Sequence, residues 1–310
     1  MSEDARVTAR VGGLTARRLV ALTMGAFVIA VALFAFWPSG GGASPAAARA
    51  LRQAAEAARS QRELPAPTQE QYLYNRRQNR ETSIYVPGHG ESNFLFITSD
   101  EVESWTRPNG SGRVVTKPRG VGFPTSEDEA AWEAAGSPDL EKAGKDDRYG
   151  QGELAIDLAD MPTEPDALLD AIEQREIVGG EEADLVTFQI IGELLHLSYR
   201  SPEHRAALFE VAATFAGVDF EGSVTDPAGR PGISVSFDGE GQRHELIVDP
   251  DTGALVAERR TVLDPKKAGV EVPPDATPGT IIASAGPPET VVFWRLFMET
   301  AVVDSIDSRP

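Results

Sequence analysis

The run ADLVTFQIIGELLHLSY at residues 183–199 lies between two blocks of sequence whose hydrophobic residues recur with a different period. Apolar residues recur at helical spacing on two faces of this run, with Leu185, Phe188, Ile191, Leu195 and Tyr199 on one face and Val186, Ile190, Leu194 and Leu197 on another. A helix that is apolar around most of its circumference is buried between layers of a domain. Together with predicted helices at 163–176 and 201–215, it forms a helical block over about residues 163–216.

Segments with a period of two lie on both sides of this block. Those before it are residues 71–77, 83–86, 93–98, 101–107 and 112–116, and those after it are residues 218–225, 233–237, 243–248, 254–262, 280–284 and 290–305. An order of strands, then helices, then strands indicates an α+β fold, with about nine strands in one curved antiparallel sheet. We expect this half-barrel to hold the central helices on its concave face.

Two further segments are predicted to contribute less to the core. Residues 117–151 are rich in Pro, Gly and charge, which predicts a long surface excursion with a short helix at 126–135. Ser44 and Pro45 precede the alanine-rich run AAARALRQAAEAARSQR, and this pattern predicts a helix start. Because Leu51 is its one large apolar residue, we expect a stalk helix that lies lightly on the domain.

Residues 19–37, LVALTMGAFVIAVALFAFW, carry no charge and predict a membrane-spanning helix. A helix of this length covers about 28 Å, close to the thickness of a bilayer's hydrocarbon core. Arg17 and Arg18 flank its start and its far flank is uncharged, which predicts a cytoplasmic N-terminus and an extracytoplasmic C-terminal domain. A cleaved signal peptide with its cleavage site near Ala48 is the alternative, although this apolar run is longer than a typical signal peptide's.

The composition excludes several classes of function. The chain has 310 residues, a formal net charge of −19 and no cysteine. So acidic a surface would repel nucleic acid and anionic lipid headgroups. Without cysteine, disulfides, thiolate catalysis and thiolate metal sites are ruled out, so stability must come from the core.

Motifs for catalysis, cofactors and metals are absent or incomplete. The sequence has no phosphate-binding glycine loop, no dinucleotide fingerprint and no nucleophile elbow. Glu193 and His196 have the spacing of half a di-metal site, but an ordinary helical histidine is the simpler interpretation. Asp249, Asp251 and Gly253 resemble the start of a calcium loop that lacks its later ligands, so a hairpin turn is favoured. We therefore predict no cofactor, no metal and no catalytic residue.

Four aromatic residues, Phe94, Phe96, Trp105 and Trp294, lie on predicted strands and could line an apolar groove on the sheet. The alternative is that they fill the hydrophobic core. A groove that is open to solvent would suit a lipid-like or peptide ligand, whereas filled faces would not.

Several stretches together resemble a family of uncharacterised single-pass membrane proteins of high-GC Gram-positive bacteria, often encoded beside extracytoplasmic-function sigma factors. The matching pieces, besides the basic tail and span, are Gln71-Tyr72-Leu73-Tyr74, Trp105 with Gly110-Ser111-Gly112-Arg113, Pro165-x-x-Leu168-Leu169, Arg205-Ala206-Ala207-Leu208-Phe209 with Gly217-Val218, Asp226-Pro227-Ala228-Gly229-Arg230, and Asp249-Pro250-x-Thr252-Gly253. The resemblance implies an outer domain similar to the half-barrel of lipoprotein carriers and of sensor proteins that sit on anti-sigma factors. It implies no particular activity.

The predicted organisation is a cytoplasmic tail at 1–18, a transmembrane helix at 19–37, a linker and stalk helix at 38–68, and an extracytoplasmic domain at 69–310. We expect a single-pass plasma-membrane protein whose outer domain is a non-enzymatic binding or sensing module for a lipid-like ligand, a peptide or another envelope protein. One alternative is an indirect regulator of a sigma-factor pathway, acting through a membrane partner because the tail is too short to bind a sigma factor. A carboxylate-dependent hydrolase of the cell surface is the other alternative.

Overall fold

The computed structural model describes residues 42–87, 91–154, 158, 160–175, 183–273 and 276–310. The predicted cytoplasmic tail at residues 1–18 and the predicted membrane span at residues 19–37 lie outside these ranges. Among the helices of the described residues, none is long and apolar enough to cross a bilayer.

The fold is α+β, with five α-helices and a large antiparallel sheet in the part of the chain just given. The helices are α1 (Pro45–Arg59), α2 (Ser126–Ala134), α3 (Pro165–Arg175), α4 (Ala183–Leu197) and α5 (Pro202–Ala212). The strands are β1 (Tyr72–Val86), β2 (Phe94–Thr106), β3 (Gly112–Gly122), β4 (Lys145–Tyr149), β5 (Val218–Thr225), β6 (Pro231–Gly239), β7 (Gln242–Val248), β8 (Leu255–Val262), β9 (Thr280–Ile282) and β10 (Val291–Val303). The predicted α+β class is confirmed.

The strands form one sheet in the order β4-β3-β2-β1-β10-β8-β7-β6-β5, with β9 paired to β1 beside this path. The last strand, β10, pairs with the first, β1, and so joins the strands before the helical block to those after it. The helical block therefore separates the strands into two groups along the sequence, but both groups belong to one sheet.

The two faces of the sheet differ in what covers them. Leu246 and Phe297 pack against the helices in the largest hydrophobic core, and their side of the sheet is called the helix face. Ile247 and Leu296 alternate with them and point to the opposite side, called the open face. The helices that the described residues form pack on the helix face. On the open face, the end of the chain packs near Trp105, and residues between β8 and β10 pack near Ile84.

The helical block was predicted closely, because its caps and its apolar faces are both visible in the sequence. Helix α5 begins where Ser201 caps it, with the Ser201 hydroxyl 3.4 Å from the backbone N–H of His204. In α4, Phe188 and Ile191 are fully buried, as are most of the residues of its first apolar face. Val186 departs from the prediction and is 39% exposed.

Several strand boundaries were predicted wrongly. Segments 71–77 and 83–86 are one continuous strand, β1, and segments 93–98 and 101–107 are likewise one strand, β2. The polar residues 78–82 were interpreted as a break, but they continue the strand and place polar side chains on both of its faces. The excursion at 117–151 also contains β4, which pairs with β3, in addition to the predicted short helix.

Helix α1 packs differently from the stalk that its composition suggested. Six of its residues are buried in the largest core: Ala47, Ala50, Leu51, Ala54, Ala55 and Ala58. Its small side chains allow a close approach to α5, whose Ala206 and Phe209 belong to the same core. The turn between β7 and β8 also touches α1, because Gly253 lies against the backbone of Ala54.

Candidate functional site

The four aromatic residues proposed for a groove lie in separate places. Phe94 and Phe96 are on the helix face and pack beneath α2 in a cluster with Leu140. Trp105 points to the open face, because it lies an odd number of residues from Phe96 along β2 and alternate residues of a strand point to opposite faces. Trp294 packs with Leu296 on the open face. The structure therefore does not bring the four residues together. Trp294 is partly exposed, whereas the other three are almost completely buried.

The end of the open face around Trp105 is closed by the C-terminal residues. The indole N–H of Trp105 donates a hydrogen bond to the carbonyl of Ser308 at 2.8 Å. Tyr74 packs on the other side of Trp105, with the ring centroids 5.3 Å apart. Arg309 completes the closure through an ion pair with the buried carboxylate of Glu103.

Glu103 is only 2% exposed, and its carboxylate accepts hydrogen bonds from three side chains. The donors are Tyr74 Oη at 2.9 Å, Lys117 Nζ at 2.6 Å and Arg309 Nη2 at 2.9 Å. The bonds from Arg309, followed by those from Lys117 and Tyr74, lower the pKa of Glu103 to about 2 although burial opposes them. Burial and the bond to Glu103 raise the pKa of Tyr74 to about 12. The ionised carboxylate of Glu103 therefore holds the C-terminal residues on the sheet.

We predict that the substitution Glu103→Gln reduces the acid sensitivity of the fold. Because the folded-state pKa lies below the ordinary value of 4.5, ionised Glu103 stabilises the fold above that pH, and this contribution is lost as the pH falls toward about 2. Urea unfolding at a series of pH values should give a flatter profile in the variant than in the parent. Glu133→Gln, on an exposed position of α2, is the control and should leave the profile unchanged. If the parent and Glu103→Gln showed the same dependence of stability on pH, ionised Glu103 would not be the group that stabilises the fold.

The centre of the open face carries a tryptophan between two arginines. In the register of β1, β10 and β8, Arg80 pairs with Trp294 and Trp294 pairs with Arg259. The guanidinium of Arg259 lies over the Trp294 ring, 5.3 Å from its centroid, and forms an ion pair with buried Glu245. Arg80 is exposed and has no ion-pair partner among the described residues. Aromatic and guanidinium surface is thus available on this face.

Beside Arg80 lies an open depression of about 420 Å³, lined by residues of β1, β2 and β3. Its cationic side chains are Arg76, Arg80 and Arg119. Arg119 contacts Glu101 at 2.6 Å, and Arg76 lies 3.6 Å from the same residue. Two of these arginines therefore contact buried Glu101, and Asp100 is a second carboxylate in the lining of the depression.

On the helix face, a second charge cluster connects α4 to the sheet. Arg295 Nη1 is 3.1 Å from Glu258 and also forms an ion pair with Glu193 of α4. Burial raises the pKa of Glu258. Burial acts in the same direction on Glu193, but the charge of Arg295, its hydrogen bond and the charge of Arg77 together lower the pKa of Glu193. His196 stacks on Phe297 with the ring centroids 4.3 Å apart, and burial lowers its pKa to about 3. This histidine is therefore neutral at pH 7.

These contacts also account for the two motifs that were considered as metal sites. Glu193 binds Arg295 and His196 stacks on Phe297, so both side chains have structural contacts. The carboxylate of Asp249 accepts the backbone N–H of Asp251 at 2.8 Å, and Gly253 closes the turn with φ at 64°. Within the described ranges, no group of three or more His, Asp or Glu side chains is placed to hold a metal ion.

Sequence reasoning missed the arginines of β1. Arg76 and Arg80 face the open side and Arg77 faces the helices, because alternate residues of a strand point to opposite faces. The predicted strand at 71–77 includes Arg76 and Arg77, but no strand is predicted for the run QNRET at residues 78–82, which contains Arg80 and no apolar residue. Its position between two segments of period two was the signal that it continues the strand.

Comparison with known proteins yields weak structural similarities and no matching family model. No protein-family model matches the sequence, and a search of curated proteins finds no match. Among solved structures, the MucA/MucB complex of Pseudomonas aeruginosa matches at 14% identity and a TM-score of 0.23, covering 86% of this chain and 58% of that chain. MucB in complex with MucA(peri) matches at 13% identity and a TM-score of 0.22, with 83% and 56% covered. The chain thus spans less than two thirds of the matched chains, and the similarity is weak.

Proposed function

We propose that this protein is a non-enzymatic binding module of the cell envelope, anchored through residues 19–37, that recognises another envelope protein on its open face. The observation that carries the proposal is the partly exposed Trp294 between Arg80 and Arg259, on a sheet face without a helix over it in the described part of the chain. Tryptophan and arginine are the residues most enriched at the energetic centres of protein interfaces.

The charge of the open face indicates the chemistry of the partner. Arg76, Arg80 and Arg119 line the depression with two carboxylates, Asp100 and Glu101, and Arg80 has no ion-pair partner among the described residues. A cationic surface on a protein of net charge −19 favours an acidic segment and steers its approach. An extended segment with an apolar side chain for Trp294 and carboxylates for the arginines would fit this surface.

The proposal is non-enzymatic because the buried carboxylates already have cationic partners. Glu101, Glu103, Asp226 and Glu245 are each at most 5% exposed, and each contacts an arginine. General acid–base catalysis by two carboxyl groups needs side chains that face a substrate and differ in pKa. These four carboxylates instead bind arginine side chains and contribute to the structure.

Site-specific photocrosslinking in native membranes tests the proposal. A photoreactive amino acid at Met298, which like Trp294 packs against the cluster around Leu296 on the open face, is expected to give one discrete adduct with an envelope protein. The same residue at Val186, on α4 and 39% exposed, is the matched control and should give no such adduct. Mass spectrometry of the adduct identifies the partner, including a regulator of a sigma-factor pathway if that alternative holds.

The charge argument is tested in the same membranes. Arg80→Glu should reduce the Met298 adduct at least about tenfold, because it places a carboxylate against an acidic partner at the centre of the surface. Arg62→Glu, on an exposed position outside the sheet, should leave the adduct unchanged. Equal adducts from Met298 and Val186, or an adduct that is insensitive to Arg80→Glu, would count against recognition on the open face.

A further inference from the structure

Residues 304–310, called the strap, follow the end of β10 and lie across the open face. Four successive residues of the strap contact the sheet: Ile306, Asp307, Ser308 and Arg309. Ile306 packs against the cluster that contains Trp105, and Asp307 forms an ion pair with Arg113. The Ser308 carbonyl accepts the indole N–H of Trp105 at 2.8 Å. The strap is therefore bound through its side chains and its backbone, as a peptide is in a binding site.

The deepest contact of the strap is that of Arg309. Its Nη2 is 2.9 Å from one oxygen of the Glu103 carboxylate, and its Nε contacts the other oxygen. The guanidinium also lies over the Trp105 ring, 5.6 Å from the centroid. A planar fork that binds both carboxylate oxygens and also faces an aromatic ring is a property of arginine and not of lysine. The site therefore selects a guanidinium.

The site is built by the sheet and keeps its internal contacts without the strap. Glu103 accepts hydrogen bonds from Lys117 at 2.6 Å and from Tyr74 at 2.9 Å, so its carboxylate keeps two partners when Arg309 leaves. Trp105 keeps its ring contact with Tyr74 at 5.3 Å. Loss of every partner would leave a buried charge at a high cost, but loss of one of three partners does not. The strap can therefore leave this site without abolishing it.

The strap is held mainly near the surface. The side chains of Asp307 and Arg309 are 69% and 52% exposed, and Ile306 is only partly buried. Ion pairs at the surface contribute little, and segments with few buried apolar contacts open locally at a small cost in free energy. The strap is therefore an occupant that a competing segment can replace.

We propose that Glu103 and Trp105 form a binding site for an arginine-bearing segment of another protein, and that the strap occupies this site in cis until that segment replaces it. The strap gives the pattern of the partner: an apolar residue, an acidic residue one position later, and an arginine two positions after that. A tethered competitor acts at an effective concentration in the range of about 1 mM or more. A natural partner therefore needs contacts beyond these four residues to displace the strap.

This site goes beyond the proposed surface around Trp294 and does not rest on it. Tyr74 pairs with Trp105 and Arg80 pairs with Trp294, so the two sites lie six residues apart along β1. At about 3.3 Å per residue the separation is about 20 Å. Binding at one site can therefore be measured without the other.

A labelled peptide of residues 304–310, amidated at its C-terminus, tests the site on the full-length chain in detergent. The variant Arg309→Gln weakens the strap, so it should bind the peptide at least about tenfold more tightly than the parent does. The peptide that itself carries Arg309→Gln should bind neither protein. Arg62→Gln, at an exposed position outside the sheet, makes the same change of charge and should bind the peptide as weakly as the parent. Fluorescence anisotropy gives the four affinities.

Further variants link the binding to Glu103. Adding Glu103→Gln to Arg309→Gln should abolish peptide binding, because it removes the charge that the guanidinium contacts. Asp307→Asn loosens the strap at its ion pair with Arg113 and should tighten peptide binding about threefold, which tests the proposal even if Arg309→Gln does not fold. The proposal is wrong if the parent and both loosened variants bind the peptide equally, or if the arginine of the peptide makes no difference. It is also wrong if the parent forms dimers that Arg309→Gln abolishes, because a second copy would then supply the arginine.

Discussion

A chain that begins at residue 61 is expected not to fold, whereas a chain that begins at residue 42 is expected to unfold cooperatively. The difference between them is α1, which buries Leu51 and five alanines in the largest core. Burial of a leucine contributes about 1.5–3 kcal/mol and each alanine methyl somewhat under about 1 kcal/mol. Removal of α1 also exposes the face of α5 that it covers. The sum is comparable to the whole stability of a domain, about 5–15 kcal/mol.

Circular dichroism and chemical denaturation of the two chains provide the measurement. The longer chain should show a sharp transition, and the shorter one should show no cooperative transition or should aggregate. If the shorter chain unfolds cooperatively with a similar midpoint, α1 is a dispensable stalk, as its composition first suggested, and the packing described here is wrong.

A pair of glycine substitutions tests the same packing without truncation. At Gly253, φ is +64° and an added Cβ would lie 2.5 Å from the Ala54 carbonyl oxygen and 2.9 Å from the Ala58 nitrogen. At Gly229, φ is +82° and no atom lies within 4 Å of an added Cβ. Gly229→Ala should therefore cost about 1–2 kcal/mol for its conformation alone, and Gly253→Ala about 1–3 kcal/mol more for the steric overlap with α1. Equal losses of stability in the two variants would contradict the contact between Gly253 and α1.

The sequence predicted α1 as a helix but could not predict how it packs. Ser44 and Pro45 mark the start of the helix, and alanine favours the helical conformation, so both signals are local. The packing of α1 depends on how closely its backbone approaches that of α5. Small side chains permit a close approach, but the hydrophobicity of the sequence does not reveal it. Leu51 was therefore judged too weak an anchor, although the alanines around it bring α1 into contact with α5.

The same limit applies to the candidate sites. Segments 71–77, 83–86 and 93–98 are predicted as strands because their apolar residues alternate with polar ones, but Arg80 lies at 78–82, in a polar run with no such pattern. That run is a strand because β2 and β10 pair with it on either side, which is a tertiary constraint. The aromatic residues were placed on strands correctly, but the face to which each points depends on the register between distant strands.

The substitution Arg295→Met is expected to destabilise the fold by about 3–5 kcal/mol at pH 7, because it leaves the carboxylate of Glu258 buried without a cation. The side chain of Glu258 is 16% exposed, whereas that of Glu193, the other partner of Arg295, is 46% exposed and can be hydrated. Arg243→Met removes a partly exposed cation that pairs with Asp238 and Glu221 near the surface, so it should cost about 1 kcal/mol or less. Chemical denaturation of the two variants provides the comparison.

The pH dependence of the Arg295→Met variant identifies Glu258 as the cause. Burial raises the folded-state pKa of Glu258 above its ordinary value of 4.5, and loss of Arg295 removes the main attraction that opposes this rise. A carboxyl group with a raised folded-state pKa stabilises the fold below the unfolded pKa, and the contribution is lost as the pH rises through the folded value. The deficit of the variant should therefore shrink when the pH is lowered from 8 toward 5, and adding Glu258→Gln should remove most of it. A deficit that is the same at every pH and persists in the double variant would mean that lost packing of the arginine stem, and not the uncompensated carboxylate, is responsible.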